Sequence, residues 1–412
     1  MTARVALGDI AKIYSGGTPS RSNPSYWDGD IPWIKTTQIQ NGLITTDEVD
    51  EWITEDGMKN SSAKVVPKGT ILMAMYGQGK TRGQVAILGI DAAINQACAA
   101  IQLKDGISRD FIYQQLLFQY NSIRGLSNTG GQQNLSAELL REISLSLPSY
   151  HEQNTIANLL LIWDSAIEIL DQLILAKQAQ RKGLMQQLLS GKRRFPGIIS
   201  SEERIEVRWG SYPTDWQYLP IGDIAEQVSE KNRNGSELPV LSCTKHNGLV
   251  DSLKYFGKQV FSKDLSTYKI VRRDQFAYAT NHIEEGSIGY QDIYDEAVIS
   301  PMYTVFETDD GINDRFLYLV LKTELYRHIF EANTSASVDR RGSLRWKEFS
   351  KIHIPVPSLD EQRAIVEVFD CCDRELKLLG QQLDAFKEQK RGLMQQLLTG
   401  KVRVKPAKEA VA

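Results

Sequence analysis

Residues 148–194 begin with Pro-Ser-Tyr-His-Glu-Gln and end with Gly-Leu-Met-Gln-Gln-Leu-Leu-Ser-Gly-Lys-Arg-Arg. Residues 357–403 repeat this stretch, from Pro-Ser-Leu-Asp-Glu-Gln to Gly-Leu-Met-Gln-Gln-Leu-Leu-Thr-Gly-Lys-Val-Arg. The two copies keep one offset, 209 residues, without an insertion anywhere between their ends. An inserted residue would rotate everything after it in a helix by about 100°. The gap-free repeat therefore predicts one continuous helix in each copy.

Apolar residues in both copies recur at alternating spacings of four and three. This period of 3.5 residues predicts a left-handed coiled-coil seam, so each helix requires another long helix as its partner. The predicted seam residues are Ile156, Leu160, Trp163, Ile167, Leu170, Ile174, Ile365, Phe369, Cys372, Leu376, Leu379 and Leu383.

Both ends of each helix carry sequence signals. Ser149 and Ser358 precede the helical pattern and are followed three residues later by glutamate, which is the capping-box pattern. Gly191 and Gly400 stand where a residue of left-handed conformation would end a helix. These signals bound helices of about 40 residues, or about 60 Å.

Composition places the chain among ordinary globular proteins. Of 412 residues, 42% are hydrophobic and 24% charged, which suits two or three domains. No apolar run approaches the roughly 20 residues that span a bilayer, and the N-terminal residues lack a signal-peptide pattern. We therefore expect a cytoplasmic protein. The formal net charge of −3 does not itself indicate nucleic-acid binding, so any such site must be local.

The region before the first helix predicts a globular domain of mixed α and β structure. Strands are predicted at residues 5–14, 31–37, 65–75 and 84–90, and a helix at 110–120. The region before the second helix repeats parts of it, since Leu7-Gly-Asp-Ile-Ala returns as Ile221-Gly-Asp-Ile-Ala. Asn41-Gly-Leu likewise returns as Asn247-Gly-Leu. The chain therefore reads as two diverged copies of one unit.

The predicted fold class is α+β, with two pseudo-symmetric globular domains separated by two long helices. The first helix carries the chain from one domain to the other and the second carries it back, so the helices are predicted to pair antiparallel as a coiled coil. The predicted division is a first domain at 1–147, a first helix at 148–194, a linker at 195–209, a second domain at 210–356, a second helix at 357–404 and a tail at 405–412.

Residues 74–81, Ala-Met-Tyr-Gly-Gln-Gly-Lys-Thr, fit a relaxed phosphate-loop pattern. A phosphate loop must lead into a helix whose first amide groups face the phosphates, yet a turn and a predicted strand follow here. We therefore predict a glycine-rich hairpin loop. The histidines and cysteines show no metal-ligand spacing and no residues assemble a catalytic arrangement, so the chain is predicted to be non-catalytic and without a metal site.

Basic residues concentrate near the ends of both helices. They are Lys177, Arg181, Lys182, Lys192, Arg193 and Arg194 in the first copy, and Lys387, Lys390, Arg391, Lys401, Arg403 and Lys405 in the second. Two interpretations stay open, which are complementation of the helix dipole and a surface that faces phosphates or a partner.

Three stretches carry a family resemblance, which are Ser-Gly-Gly-Thr-Pro-Ser-Arg-Ser-Asn-Pro at 15–24, Gly-Gly-Gln-Gln-Asn-Leu-Ser at 130–136, and above all the repeated helix ends. With these stretches the chain resembles the specificity subunits of type I restriction-modification systems. The resemblance implies that two target-recognition domains each read half of a split DNA sequence. It also implies that the helices set the spacing and dock two methylation subunits, which restriction subunits join. S-adenosylmethionine, ATP and magnesium would then bind to those partners, with no cofactor in this chain.

Base readout needs side chains that form hydrogen bonds from loops, with Arg, Lys, Gln and Asn as the usual readers. The candidate DNA-binding residues are Lys35, Thr36, Gln38, Tyr76, Gln78, Lys80, Arg82, Gln132, Gln133, Lys245, His246, Asn281, His282, Arg340, Arg341 and Arg345. The alternative function is a coiled-coil scaffold that binds only proteins. Residues 1–147 favour it mildly, since they hold 13 basic and 14 acidic side chains.

Overall fold

The computed structural model describes residues 3–77, 79–126, 134–334 and 343–404. The chain forms two compact units, of which unit 1 comprises Met1–Gln172 with Gly380–Ala412 and unit 2 comprises Leu173–Leu379. The division between the units falls inside the two long helices. Each unit therefore holds one globular domain together with a part of each helix.

The elements from the start of the chain to the end of the first long helix are short, apart from that helix. They are β1 (Ala3–Ala6), α1 (Leu7–Ile10), β2 (Ala11–Ser15), β3 (Trp27–Ile34), β4 (Leu43–Ile44), β5 (Trp52–Ile53), α2 (Glu55–Lys59), β6 (Val65–Val66), β7 (Ile71–Ala74), β8 (Val85–Leu88), β9 (Ala92–Ile94), β10 (Cys98–Leu103), α3 (Arg109–Phe118), α4 (Tyr120–Gly125), α5 (Ala137–Arg141), β11 (Ser144–Leu147) and α6 (Tyr150–Leu188).

The remaining elements follow the same plan. They are β12 (Arg204–Val207), β13 (Gly210–Pro213), β14 (Gln217–Pro220), β15 (Ala225–Val228), β16 (Val240–Thr244), β17 (Gly248–Asp251), α7 (Ser252–Phe256), β18 (Lys269–Arg272), β19 (Phe276–Ala279), β20 (Ile288–Tyr290), β21 (Glu296–Ile299), β22 (Tyr303–Thr308), α8 (Asp314–Leu321), α9 (Glu324–Asn333), α10 (Trp346–Phe349), β23 (His353–Val356) and α11 (Leu359–Leu397).

The two units share most of their sheet topology, although β4 of unit 1 and the ribbon β12-β13 of unit 2 have no counterpart among the described residues. Unit 1 has a sheet of order β2-β10-β7-β8-β4, and unit 2 has β15-β22-β19-β20 in the equivalent positions. A second sheet, β5-β3-β9-β6, corresponds to β17-β16-β21-β18, and in both the central pair is parallel. The ribbons β1-β11 and β14-β23 also correspond. The internal repeat predicted from short motifs therefore extends to the order and direction of the strands.

The long helices α6 and α11 each contain 39 residues at the predicted offset. Gly191 and Gly400 follow them with φ of 62° and 72°, so both adopt the left-handed conformation predicted for them. Within unit 1, Lys390 of α11 lies 2.5 Å from Asp164 of α6. Within unit 2, Arg181 late in α6 pairs with Asp373 early in α11. The antiparallel pairing of the helices is confirmed in each unit.

All of the predicted seam residues on these helices are buried or partly buried. The ends of the helices also belong to the cores of the globular domains. Ile156, Leu160 and Leu397 join the main core of unit 1, while Leu188 and Phe369 join that of unit 2. Each domain thus packs on the start of one helix and the end of the other. Among the described residues, no helix has both the length and the apolar character needed to cross a membrane.

Several predicted strands differ from the structure. The strand predicted at 5–14 is wrong in its middle, where α1 separates β1 from β2. Leu7 and Ile10 are both buried, and the Leu7 amide donates to the Ile143 carbonyl, so tertiary packing overrides the local strand pattern. The strand predicted at 65–75 is interrupted at Gly69, whose φ is 88°. The predicted linker 195–209 contains strand β12.

Candidate nucleic-acid interface

The loop that joins β7 to β8 in unit 1 carries several of the predicted readers. Gly77, Gly79 and Gly83 have φ of 136°, 65° and 86°, which residues with a side chain rarely adopt. The two strands are antiparallel, and the Gly83 amide donates to the Ala74 carbonyl at 2.8 Å. Because the loop leads into a strand, the predicted hairpin is confirmed and the phosphate-loop interpretation fails.

Tyr76 and Lys80 on this loop are exposed, and Arg82 is partly buried with its guanidinium donating to the Arg124 carbonyl at 3.2 Å. The Leu135 amide donates to the Met75 carbonyl at 3.0 Å, so the chain after residues 127–133 returns to the base of the hairpin. Gln78, Gln132 and Gln133 lie outside the described residues.

Lys35 and Gln38 bind acidic side chains of their own domain, and Thr36 lies between them in the chain. The Lys35 ammonium forms ion pairs with Glu51 and Asp50 at 2.6 and 3.0 Å, and the hydrogen bond that it donates to Glu51 raises its pKa. The Gln38 amide donates to the Glu48 carbonyl and the Asp50 carboxylate, while its oxygen accepts from the Lys35 amide. Thr36 is partly buried at the first turn of the 3-10 helix between them. Lys35 and Gln38 therefore stabilise their own domain, which argues against base contacts.

In unit 2 the structure brings the predicted readers of two loops together. Lys245 and His246 are exposed on the turn between β16 and β17. Asn281 and His282 lie on the loop between β19 and β20, which is equivalent to the hairpin loop of unit 1. The Lys322 ammonium donates to the carbonyls of Lys245 and Gly286, so the two loops are neighbours.

Thr280, at the start of the β19–β20 loop, connects this loop to two other segments of unit 2. Its carbonyl accepts from the Leu344 amide at 2.9 Å, as the Met75 carbonyl accepts from Leu135 in unit 1. Its hydroxyl donates to the Met302 carbonyl at 3.3 Å. The contact with Leu344 places the backbone before the exposed Arg345, another predicted reader, beside the loop that carries Asn281 and His282. Arg340 and Arg341 lie outside the described residues.

Within the described ranges, one group of possible metal ligands comes together, at His282, Glu284 and Glu285. His282 and Glu285 are exposed, and the His282 Nδ1 atom lies 3.5 Å from the Glu285 carboxylate. Such groups on a solvated turn are ordinary surface features, so they do not change the prediction that this chain has no metal site.

Several basic residues of the helix ends are engaged in ion pairs with the other helix. Lys177 pairs with Glu375 and Arg181 with Asp373 in unit 2, and Lys390 pairs with Asp164 in unit 1. These three side chains therefore stabilise the pairing of the helices, and both interpretations of the basic clusters stay predictions. The sequence did hold a signal, because Asp164 and Arg181 recur as Asp373 and Lys390 at the repeat offset.

The repeated Glu-Gln pair connects each helix to its domain. The buried Gln153 accepts from the Ser108 amide at the start of α3 and donates to the Pro148 carbonyl. Gln362 makes the equivalent contacts with the Asn313 amide at the start of α8 and with the Pro357 carbonyl. In both copies the glutamine therefore satisfies two backbone groups that would otherwise be buried without partners.

The glutamate of each pair binds an arginine just beyond the other helix. Glu152 binds Arg403 at 2.5 and 2.7 Å in unit 1, and Glu361 binds Arg194 at 2.7 and 2.9 Å in unit 2. The Glu152 backbone amide donates to the Ser149 hydroxyl oxygen at 3.4 Å, but the Glu152 carboxylate binds Arg403 instead of the Ser149 amide, so only half of the predicted capping box forms. In each unit, a glutamate at the start of one long helix thus binds an arginine just after the end of the other.

The ion pair of unit 1 predicts an acid-sensitive stability. The hydrogen bond from Arg403 lowers the pKa of Glu152. A carboxyl group with a lowered folded-state pKa contributes stability above its unfolded pKa, about 4.3, that is lost as pH falls through the folded value. We expect Glu152→Gln to lower the unfolding temperature of unit 1 at pH 7 and to have much less effect at pH 3, as measured by calorimetry. Equal losses at both pH values would contradict this assignment.

Comparison with known proteins agrees with this architecture. The family model for the type I restriction modification DNA specificity domain matches residues 3–176 and 213–387. The chain is 21% identical, over 97% of its length and 93% of the relative, to the type I restriction enzyme MjaVIII specificity subunit of Methanocaldococcus jannaschii. A 165-residue stretch, 39% of this chain and 38% of the relative, is 32% identical to the MjaIX specificity subunit of the same organism.

Solved structures share the fold along the whole chain. A type I restriction-modification S subunit from M. genitalium superposes with a TM-score of 0.54 at 18% identity, covering 96% of both chains. A chain from a structure concerned with complex assembly and conformational transition of the type I R-M system gives 0.58 at 15% identity, covering 97% of this chain and 98% of that one. The resemblance drawn from the repeated helix ends is confirmed, and the chain belongs to the family of type I restriction-modification DNA specificity subunits, which are non-catalytic.

Proposed function

We propose that this chain reads a bipartite target in double-stranded DNA, with each globular domain reading one half. One observation carries the proposal, which is that both units place the same two segments side by side. In unit 1 these are the β7–β8 loop and the chain returning at Leu135. In unit 2 they are the β19–β20 loop and the chain returning at Leu344. Exposed hydrogen-bonding side chains on such loops suit the reading of base edges.

We further propose that α6 and α11 set the spacing between the half-sites and dock two methylation subunits, which restriction subunits join. Support comes from apolar side chains of α6 that face solvent, of which Ile162 and Ile169 are 66% and 65% exposed. They lie seven residues apart on one helical stripe, as a partner helix would require. S-adenosylmethionine, ATP and magnesium are proposed to bind on these partners, and the complex to act in the cytoplasm of a prokaryotic cell.

A domain exchange tests the proposal. Residues 210–350 are replaced by the corresponding domain of a relative, and the targets of the parent and the chimera are selected from random DNA in the presence of methylation subunits. We expect the second half-site to change and the first to stay, because each unit has its own loops. A change in both half-sites would contradict modular reading.

The same complexes separate DNA reading from the scaffold alternative. A protein that neutralises phosphates releases counterions, so log K for DNA falls with log salt concentration. We expect this slope for parent and chimera alike. A chain that binds methylation subunits but adds neither affinity nor sequence preference to them would support the scaffold.

A further inference from the structure

Lys322 lies just after α8 and connects two loops that are far apart in sequence. Its ammonium donates to the Lys245 carbonyl and to the Gly286 carbonyl, each at 2.9 Å. The side chain is half-buried, and loss of water lowers its pKa. A cation taken out of water is stabilised by such carbonyl dipoles. The ammonium is therefore directed at the protein backbone.

These two loops carry Lys245, His246, Asn281 and His282, which are four of the predicted readers of unit 2. Within the parts of the chain that the structure describes, no direct hydrogen bond joins the turn at 244–247 to the loop at 280–287. Lys322 is thus the polar connection between them. Base readout depends on side chains held at hydrogen-bonding distance from base edges, so a change in the separation of these loops alters which edges they reach.

A second cation supports the same loop. The Arg327 guanidinium of α9 donates through Nε to the Glu284 carbonyl at 3.3 Å, while its Nη1 binds Glu324 of the same helix. Gly286, two residues after Glu284, has a φ of 94° and turns the chain toward β20. The corner between α8 and α9 therefore holds this loop through two backbone carbonyls, those of Glu284 and Gly286, and the turn at 244–247 through a third, that of Lys245.

In unit 1 the equivalent loop is also held by hydrogen bonds to its backbone carbonyls. From α4, the Tyr120 hydroxyl donates to the Lys80 carbonyl at 2.6 Å and the Arg124 guanidinium donates to the Gly79 carbonyl. Both acceptors lie on the hairpin loop that carries Tyr76, Lys80 and Arg82. The two domains thus support equivalent loops from the equivalent helical region, through an arginine in both and through Lys322 in one and Tyr120 in the other.

We propose that Lys322 is a positioning residue for the second half-site and that Tyr120 is its counterpart for the first. The proposal rests on the bipartite DNA reading proposed above. Lys322 does not itself contact DNA, because its ammonium is committed to the carbonyls of Lys245 and Gly286. It holds two loops in the separation at which their side chains read neighbouring bases.

The test uses the full chain in complex with methylation subunits and a duplex bearing the selected target. Affinity is measured for this target and for duplexes with one base pair substituted in either half-site. We expect Lys322→Met to weaken binding to the target about tenfold, or about 1.4 kcal/mol, because the two loops then lose the hydrogen-bond donor that they share. We also expect substitutions in the second half-site to cost less affinity than in the parent, and those in the first to cost the same.

Two variants serve as matched controls. Tyr120→Phe removes one hydroxyl and is expected to show the opposite pattern, with relaxed discrimination in the first half-site only. Lys351→Met removes an exposed lysine of unit 2 that pairs with Glu348, and is expected to leave both half-sites unchanged. Thermal unfolding of each variant shows whether it is folded at the temperature of the measurement.

Each other outcome overturns the proposal. If Lys322→Met loses stability but still discriminates between bases in both half-sites as the parent does, Lys322 has only a structural role. If Lys322→Met lowers the magnitude of the slope of log K against log salt concentration by about one, Lys322 contacts a phosphate instead. Equal relaxation of both half-sites would exclude local positioning. Failure of the proposed function is distinct, because the parent complex itself would then show no bipartite preference.

Discussion

Replacing Arg194 with alanine is expected to destabilise unit 2 by about 3 to 5 kcal/mol, the usual cost of removing one partner of a buried ion pair. The Arg194 side chain is 7% exposed and binds two carboxylates, Glu361 at 2.7 Å and Asp215 at 2.8 Å. Glu361 is itself 1% exposed. Removal of Arg194 would leave the Glu361 carboxylate buried, with the Trp216 indole nitrogen, at 3.0 Å, as its remaining side-chain donor among the described residues. Calorimetry or urea unfolding of the full chain measures the loss.

The repeat supplies the matched control for Arg194. Arg403 occupies the equivalent position in unit 1, but its side chain is 50% exposed and pairs with Glu152. Arg403 binds one carboxylate where Arg194 binds two, and without Arg403 the Val404 amide still donates to Glu152, so we expect a smaller loss from Arg403→Ala. Combining Arg194→Ala with Glu361→Gln and Asp215→Asn should recover part of the stability, because the uncompensated charges are then gone. Equal losses at the two arginines, or no recovery, would contradict this account.

Replacing Gln362 with leucine is expected to cost about 1 to 3 kcal/mol for each of the two backbone groups that it leaves unsatisfied. Gln362 is fully buried, and it accepts from the Asn313 amide at 2.7 Å and donates to the Pro357 carbonyl at 2.9 Å. Leucine fills a similar volume without either hydrogen bond. The change therefore isolates the polar contribution, and the free energy of unfolding of unit 2 measures it.

The equivalent change, Gln153→Leu, is expected to destabilise unit 1 by a similar amount. Gln153 is buried, and its two hydrogen bonds, to Ser108 and Pro148, are both 2.9 Å. Gln180→Leu, at an exposed position of α6, is the control and should leave stability almost unchanged. We thus expect the loss of stability to differ between the two arginine variants and to be similar for the two glutamine variants. Unequal losses at the glutamines would show that the copies have diverged at the helix starts.

Local patterns predicted the long helices well. The gap-free repeat, its 3.5-residue period and its terminal glycines are sequence features that act within one helix, and α6 and α11 follow them closely. The same reasoning failed at residues 5–14. There Leu7 and Ile10 are buried on one helical turn because the rest of the domain surrounds them. A short apolar segment adopts whichever conformation its neighbours in space can bury.

The candidate site was only partly predictable. Residue type alone selected Lys35 and Gln38 as readers, yet Asp50 and Glu51 engage them. Residue type also gave no reason to select Lys322, whose role depends on the meeting of two loops. A hydrogen bond requires a separation near 3 Å, and sequence does not state which distant groups reach it.

The sequence by itself determined that there are two copies of one domain, each followed by a long amphipathic helix, because repetition and helical period are properties of neighbouring residues. Only the tertiary structure decided which charges are neutralised and which remain exposed. Arg194 and Glu361 lie 167 positions apart in the sequence, and Glu152 and Arg403 lie 251 positions apart. Each pair meets because the helices pair antiparallel, which brings the start of one helix to the end of the other. The strength of such a pair depends on its distance and its exposure to water, and both are set by the packing of the whole unit.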